Sequence, residues 1–166
     1  EVFNSREYYP RVLSWAVDNN LTIIAASDVH GTLDDKTISE NGAHRPVTLV
    51  LAKERSAEGV KEALFAGRTL ALFHNTIAAK ESIASDFVDA CIKAKKLFEN
   101  GKNATLILTN SGDIRFTFKV GKSTYILPAK SSITISLPAT SKRIDANFTN
   151  IFIYENRTLA HSLQIQ

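Results

Sequence analysis

The chain has 166 residues, and its 20 Lys and Arg residues against 17 Asp and Glu residues give a formal net charge of +3. A hydrophobic content of 44% and a charged content of 22% indicate a folded chain of one or two domains and exclude a disordered one. The single cysteine excludes an internal disulfide. No apolar run approaches the roughly 18 residues of a membrane span, and the scattered basic residues give no nucleic-acid footprint.

The N-terminal residues read as a helix followed by a strand. Pro10 suits a first helical turn, where its missing N–H has no bond to lose. Apolar residues then recur at helical spacing until Asn19 and Asn20, which tolerate the left-handed conformation at a helix C-terminus. Residues 21–26 form an apolar run of strand length. Near-continuous apolarity predicts a strand buried on both faces, as in a parallel sheet.

A second strand, helix and strand follow. Residues 47–52 are apolar, Ser56 suits a helix N-cap, and Gly67 suits the position just after a helix C-terminus. Thr69–Phe73 is a third apolar run. The order strand, helix, strand predicts a parallel α/β unit with a right-handed crossover.

A longer helix is predicted over residues 86–99, with Ser85 as its cap, because apolar residues recur there at helical spacing. Cys91 falls on that apolar stripe, which favours a buried thiol over a nucleophile. The densest cationic group is predicted to be a solvated face of the same helix and comprises Lys93, Lys95 and Lys96.

From residue 104 onward the apolar period changes to two. Phe116, Phe118 and Phe148 each fall on such an alternating face, with turn signals between the runs. Six or seven short strands at roughly ten-residue spacing predict a small β-sandwich of immunoglobulin type. The predicted fold class is therefore α/β followed by all-β, with residues 1–100 in the first domain and residues 101–166 in the sandwich.

The strongest chemical signal is the pair Asp28 and His30, in the run AASDVHG at the end of the first apolar strand. Side chains at i and i+2 of a strand point the same way. Open parallel sheets and α/β barrels build their sites at the C-terminal ends of strands. Carboxylate and imidazole are ligands of Zn, Mn or Fe, so the pair is predicted to be half of a metal site. The alternative is a capping Asp beside a surface His.

The run AASDVHG resembles the last conserved motif of the PHP (polymerase and histidinol phosphatase) family of metal-dependent phosphoesterases. Two flanking segments extend the resemblance, EYYPRVLSWAVDNNLTIIAASDVHG and HRPVTLVLAKERSAEGVKEALFAGRTLALFHNT. The chain resembles the two-domain PHP phosphodiesterases of Bacteroidetes, which append a β-sandwich after the catalytic barrel. The resemblance is specific over residues 7–82 and loose over the sandwich.

This resemblance implies the C-terminal strands and helices of a distorted β/α barrel, followed by an immunoglobulin-like sandwich. PHP enzymes hold two or three divalent ions with a His-x-His motif on the first strand, further ligands on middle strands and Asp-x-His on the last. Only the last motif is present, as Asp28 and His30, so each is expected to ligate one ion of a complete site. The implied reaction is hydrolysis of a phosphodiester or phosphomonoester by metal-activated water.

Because most of the ligands are missing, the isolated chain is expected to bind Zn, Mn or Fe weakly or not at all and to be inactive. The chain begins at Glu1 without a methionine, and it is expected to be part of a longer protein whose first barrel strands it lacks. A partial barrel leaves strand edges exposed, so the chain is expected to self-associate through the barrel edge, by dimerising or swapping, or to cover that edge with its own helices. The alternative function is a non-catalytic interaction or structural module made of an α/β layer and a sandwich.

The remaining candidates are weaker. Arg45 lies in the loop after the ligand strand and is predicted to contact the phosphate of the substrate, because a guanidinium clamps phosphate bidentately. Arg68 follows a helix C-terminus, which favours an interaction with the helix dipole or a structural ion pair. Three further histidines match no ligand motif and are predicted to lie in a loop, at a strand end and in the sandwich: His44, His74 and His161.

Overall fold

The protein is mostly β-sheet. The computed structural model describes residues 1–31 and 45–166, and within these ranges there are three helices and thirteen strands. The helices are α1 Pro10–Asp18, α2 Ala57–Phe65 and α3 Glu81–Cys91. None of these helices is long and apolar enough to cross a membrane. The strands are β1 Phe3–Asn4, β2 Glu7–Tyr8, β3 Ala25–Ala26, β4 Val47–Val50, β5 Thr69–Phe73, β6 Thr76–Ala79, β7 Ile92–Asn100, β8 Asn103–Asn110, β9 Phe116–Val120, β10 Ser123–Leu127, β11 Ser131–Pro138, β12 Arg143–Tyr154 and β13 Arg157–Gln164.

The chain divides into two compact units. Unit 1 comprises residues 1–84 and 151–157, and unit 2 comprises residues 85–150 and 158–166. Strand β12 contributes its first part to unit 2 and its last part to unit 1. The sequence places a boundary at residues 100–103, and these residues form the turn between β7 and β8, with Asn100 opposite Asn103. Unit 2 therefore begins earlier than the predicted sandwich.

The helix predicted over residues 86–99 is confirmed only over residues 86–91; its predicted cap, Ser85, lies inside α3, and the prediction is wrong from residue 92 onward. Helix α3 ends at Cys91, and β7 begins at the next residue. In β7 the side chains of Ile92 and Ala94 are buried whereas Lys93 and Lys95 are exposed, which is the period of a strand. Pairing with β8 supplies the backbone bonds, and this tertiary contact overrides the local helical spacing. The lysine group thus lies on a strand.

The parallel crossover predicted around α2 is also wrong, because β4 and β5 pair antiparallel. The segment between them closes on itself at one end of the sheet. The N–H of Leu51, just after β4, donates to the carbonyl oxygen of Arg68 at 2.9 Å, just before β5. A parallel connection would need the helix to carry the chain back along the length of the sheet.

The predicted termini of α1 and α2 are confirmed. Pro10 occupies the first turn of α1, and Asn20 beyond its end has φ of +53°. The Ser56 side chain accepts a 2.9 Å bond from the N–H of Gly59 and caps α2. Gly67 follows α2 with φ of +69°, a conformation that a side chain would strain.

Unit 1 contains two small sheets. One has the order β2-β1-β3, with β1 and β3 parallel. In the other, β4, β5 and β6 form antiparallel neighbours, and the end of β12 lies parallel to β6. The predicted strand at residues 21–26 joins its ladder only at Ala25–Ala26. The carbonyl oxygens of Ile23 and Ile24 are bonded instead by the Thr69 hydroxyl at 2.5 Å and the Val2 N–H at 2.9 Å.

Unit 2 consists of the end of α3 and of antiparallel strands whose apolar faces meet in a core. One sheet has the order β11-β8-β7, and β9 pairs with both β10 and the first part of β12. The predicted alternation is confirmed, since Phe116, Phe118 and Phe148 are fully buried. The ring of Phe148 lies with its centroid 6.0 Å from that of Phe116 and 5.3 Å from that of Phe118.

The phenylalanine cluster is expected to dominate the stability of unit 2. Phe148→Ala should lower the free energy of unfolding by about 3–5 kcal/mol, and Phe148→Leu by roughly half as much, because both leave a cavity. Phe98 is 58% exposed, so Phe98→Ala is the matched control and should change the free energy by less than about 0.5 kcal/mol. Urea denaturation measures both. Equal losses for Phe148→Ala and Phe98→Ala would contradict the assigned core.

Tyr8 places a polar hydroxyl group in the core of unit 1. Its ring packs between Phe3 and Phe152, with centroid distances of 4.9 Å and 5.5 Å. Its hydroxyl is buried and has no hydrogen-bond partner among the described residues. Burial, with a smaller effect from the Glu155 charge, raises the pKa of Tyr8 to about 12. The folded state therefore favours the neutral phenol.

Tyr8→Phe is expected to raise the free energy of unfolding by about 1 kcal/mol, because it removes a desolvated hydroxyl. The raised pKa adds a pH dependence: the stabilisation is full below the usual pKa of 10.0 and is lost as pH rises through about 12. Denaturation curves between pH 8 and pH 12 test both points. A variant less stable than the parent, or one with the same alkaline loss, would contradict them.

Candidate functional site

Asp28 and His30 lie just beyond β3. This strand pairs in parallel with β1, with Asn4 opposite Ala26, and the N–H of Ser5 donates to the carbonyl oxygen of Ala26 at 3.2 Å. The pairing fixes the end of β3 and hence the point at which the two polar side chains leave the sheet.

The two side chains come together, as the sequence predicts, but by a different route. The Nε2 atom of His30 lies 3.2 Å from Oδ1 of Asp28. Strand alternation is not the cause, because β3 ends at Ala26 and Asp28 has φ of +51°. Asp tolerates this left-handed conformation better than most residues. The turn at Asp28 therefore brings carboxylate and imidazole onto the same side.

The pair is open to solvent, with the Asp28 side chain 50% exposed and the His30 side chain 87% exposed. A carboxylate oxygen and an imidazole nitrogen at this separation can coordinate one cation or share a proton. An exposed site of two donors binds a metal weakly, because water competes and no second set of hydrogen bonds orients the ligands.

A second polar pair, absent from the sequence prediction, is formed by Glu7 and Tyr9. The Tyr9 hydroxyl donates a 2.6 Å hydrogen bond to Oε2 of Glu7. The pKa of Tyr9 is raised, first by this bond, then by desolvation, and then by the charges of Glu7 and Asp28. The charges of Glu7 and Asp28 therefore both act on the Tyr9 hydroxyl, and that of Asp28 acts more weakly.

A sequence signal for Glu7 and Tyr9 exists but is short. Glu7 begins β2 and Tyr9 is the residue just after it, so the local signal is only that the two residues are two positions apart. A two-residue strand has no periodicity of its own, so only its pairing with β1 shows where it lies.

The other predicted residues do not join this group. Arg45 is half-buried two residues before β4, and within residues 1–31 and 45–166 no bond links it to Asp28 or His30. His44 lies outside the described residues. Arg68 forms a bidentate ion pair with Glu62, and its Nε donates to the Leu51 carbonyl oxygen at 3.1 Å, so the predicted structural role is confirmed.

The remaining two histidines, His74 and His161, each have other neighbours. His74 lies in the turn between β5 and β6, with φ of +52° and its ring centroid 4.1 Å from that of Phe73. In unit 2, His161 Nε2 lies 2.8 Å from Oδ1 of Asp89. In the described part of the chain, no group of three or more His, Cys, Asp or Glu residues has the geometry to hold a metal ion.

Comparison with known proteins gives one informative similarity. The structure resembles a solved crystal structure from Bacteroides vulgatus ATCC 8482, described as a two-domain protein containing a predicted PHP-like metal-dependent phosphoesterase. The TM-score is 0.85, the sequence identity is 29%, and the match covers 98% of this chain. This chain spans 51% of the length of that protein. No family model matches the chain, and no curated protein matches it.

The electrostatic link between Glu7, Tyr9 and Asp28 predicts an ordered set of pKa changes. Glu7→Gln should lower the pKa of Tyr9 most, because the bonded carboxylate is the first cause of the shift. Asp28→Asn should lower it by less. Ring-carbon NMR titration of the tyrosines measures both changes.

Asp18→Asn is the matched control for these variants. The Tyr154 hydroxyl donates to Asp18 Oδ2 at 2.9 Å, and this bond is the first cause of the raised pKa of Tyr154. Asp18→Asn should therefore lower the pKa of Tyr154 and leave that of Tyr9 unchanged. A Tyr9 titration that is unaffected by Asp28→Asn would place Asp28 away from the Glu7–Tyr9 pair.

Proposed function

We propose that this chain forms the C-terminal portion of a PHP-type metal-dependent phosphoesterase, which hydrolyses a phosphodiester or phosphomonoester with metal-activated water. The observation that carries the proposal is the convergence of Asp28 Oδ1 and His30 Nε2, 3.2 Å apart beyond the end of β3. These two residues match the Asp-x-His motif of the last barrel strand. Support comes from the similarity to the Bacteroides protein at 29% identity over 98% of the chain.

The fold proposal follows from the same resemblance. The helices and short sheets of unit 1 correspond, in this proposal, to the closing strands and helices of a β/α barrel. The antiparallel sheets of unit 2 correspond to an immunoglobulin-like sandwich. The proposed domains are residues 1–100 and 101–166, whereas β7 belongs to unit 2 and residues 151–157 belong to unit 1.

The metal proposal is limited to two ligands. Asp28 and His30 supply donor atoms that suit Zn, Mn or Fe, but a catalytic zinc ion normally has three protein ligands and a water. The described residues supply no third ligand in suitable geometry. No reaction step is therefore assigned to this chain alone. In the complete site, Arg45 is proposed to hold the phosphate of the substrate through its guanidinium group.

Metal titration separates the proposed ligands from other polar pairs. Zn²⁺ and Mn²⁺ should bind weakly, and the double variant Asp28→Ala, His30→Ala should lose this binding, because both donors are removed. The matched control is Asp89→Ala, His161→Ala, which removes the other Asp–His pair, 2.8 Å apart. Isothermal titration calorimetry measures each. Binding that survives the first double variant and disappears in the second would contradict the assignment.

Phosphodiester hydrolysis by the metal-loaded chain is tested separately from metal binding. The metal-loaded chain should not hydrolyse bis(p-nitrophenyl) phosphate faster than metal ion in buffer, because two ligands on one turn leave the ion without an oriented set of partners. Turnover that Asp28→Ala abolishes would show that the chain holds a working site, and the proposed inactivity would then be wrong.

A further inference from the structure

The sheet β11-β8-β7 of unit 2 has two edges, and the chain treats them differently. The β7 edge is covered by the last residues of the chain. The N–H of Gln166 donates to the Ala94 carbonyl oxygen at 2.9 Å, the N–H of Lys96 donates to the Gln166 carbonyl oxygen at 3.3 Å, and Ile165 forms a bridge with Ala94. Strand β11 pairs with β8 on one side, and the described residues place no strand on the other.

The β11 edge also lacks the usual protection against pairing. Natural edge strands carry lysines or other charges that prevent association. Strand β7 carries three lysines, but the eight residues Ser131–Pro138 include no charged side chain. Only Pro138, at the end of the strand, interrupts the row of backbone donors.

The register identifies the residues that face this edge. The N–H of Ala139 donates to the Lys102 carbonyl oxygen at 2.9 Å, and the pairing continues in register from Pro138 opposite Asn103. In an antiparallel ladder, bonded and non-bonded pairs alternate. The N–H and C=O groups of the alternate set therefore point away from β8. This set comprises Ser132, Thr134 and Ser136.

The sequence of this edge reads the same in both directions. Residues 132–136 are Ser-Ile-Thr-Ile-Ser, a palindrome centred on Thr134. A twofold axis at Thr134 would place Ser132 opposite the partner's Ser136, and Ile133 opposite the partner's Ile135. The outward-facing groups would then meet as three bonded pairs, which is the phase that an antiparallel ladder requires.

We propose that β11 pairs antiparallel with β11 of a second copy of this chain, about a twofold axis at Thr134, to give a continuous six-stranded sheet. This contact is independent of the proposed phosphoesterase function. It is self-complementary, as the symmetry of a homodimer demands.

The side chains on both faces of β11 suit this contact between two copies, called the seam. Ser132, Thr134 and Ser136 are exposed, and the Thr109 and Ser132 hydroxyls are already 2.9 Å apart across β8 and β11. The same hydroxyl pairing continues across the seam. On the inner face Ile135 is 4% exposed, whereas Ile133 is only half-buried, so apolar surface remains for the second copy to cover.

Sedimentation of the full chain tests the pairing. A reversible dimer is expected with a dissociation constant on the order of 10–100 µM, because one strand pair buries little area. Thr134→Lys should weaken it by at least about tenfold, since two lysines would face each other at the axis. Thr109 lies one strand further in on the same face. Thr109→Lys should leave the dissociation constant within about twofold, because the two introduced lysines are farther apart and salt screens their repulsion. Circular dichroism confirms that both variants remain folded.

Cysteine trapping tests the register directly. Under mild oxidation Thr134→Cys should cross-link two chains, because opposite residues of an antiparallel pair lie about 5.5 Å apart between Cα atoms. Thr109→Cys should not, because three strand spacings of about 4.8 Å separate the two copies. The unmodified chain controls for the buried Cys91. A chain that stays monomeric to about 1 mM, a dimer that Thr134→Lys leaves unchanged, or a dimer that Thr134→Cys does not cross-link would each overturn the proposal.

Discussion

The candidate site depends on how the backbone of β3 is held. Strand β1 binds it on one side, and threonine hydroxyls bind it elsewhere. The Thr48 hydroxyl both accepts from the N–H and donates to the carbonyl oxygen of Ala25, each at 2.9 Å, and the Thr69 hydroxyl donates to the Ile23 carbonyl oxygen. These bonds provide hydrogen-bond partners for the backbone N–H and C=O groups of a strand that is too short to be stable alone. They determine where the chain leaves the sheet, and so where Asp28 and His30 meet.

The sequence is informative wherever the cause of the structure is local. The Ser56 cap, the Gly67 turn and the alternation around Phe148 follow from backbone chemistry or from one-sided burial, and each is visible in a few neighbouring residues. The contact between Asp28 and His30 was predicted from strand spacing, but a left-handed residue produces it. The residue types at positions 28 and 30 therefore predict the contact, whereas the strand conformation assumed for them is wrong.

The predictions that fail concern partners distant in sequence. The segment after Cys91 has helical spacing, and only the pairing with β8 makes it a strand. Likewise, no local pattern distinguishes a parallel crossover from the loop closed between Leu51 and Arg68. The Asp28 charge acts on Tyr9 for the same reason, because β1 pairs with both β2 and β3 and so brings together residues about twenty positions apart. In unit 2, the sheet order is needed to show that β11 is an edge strand, with no second neighbour among the described residues.

Asp28 and His30 are proposed to form the metal-binding part of a phosphoesterase site. Paramagnetic broadening of NMR signals by Mn²⁺ tests this proposal most directly, because the effect falls steeply with distance from the ion. Broadening at substoichiometric Mn²⁺ should begin at Asp28, His30 and the neighbouring Ser27, while the signals of Asp89 and His161 stay sharp. Broadening centred on Asp89 and His161, or spread evenly over the exposed carboxylates, would contradict the account.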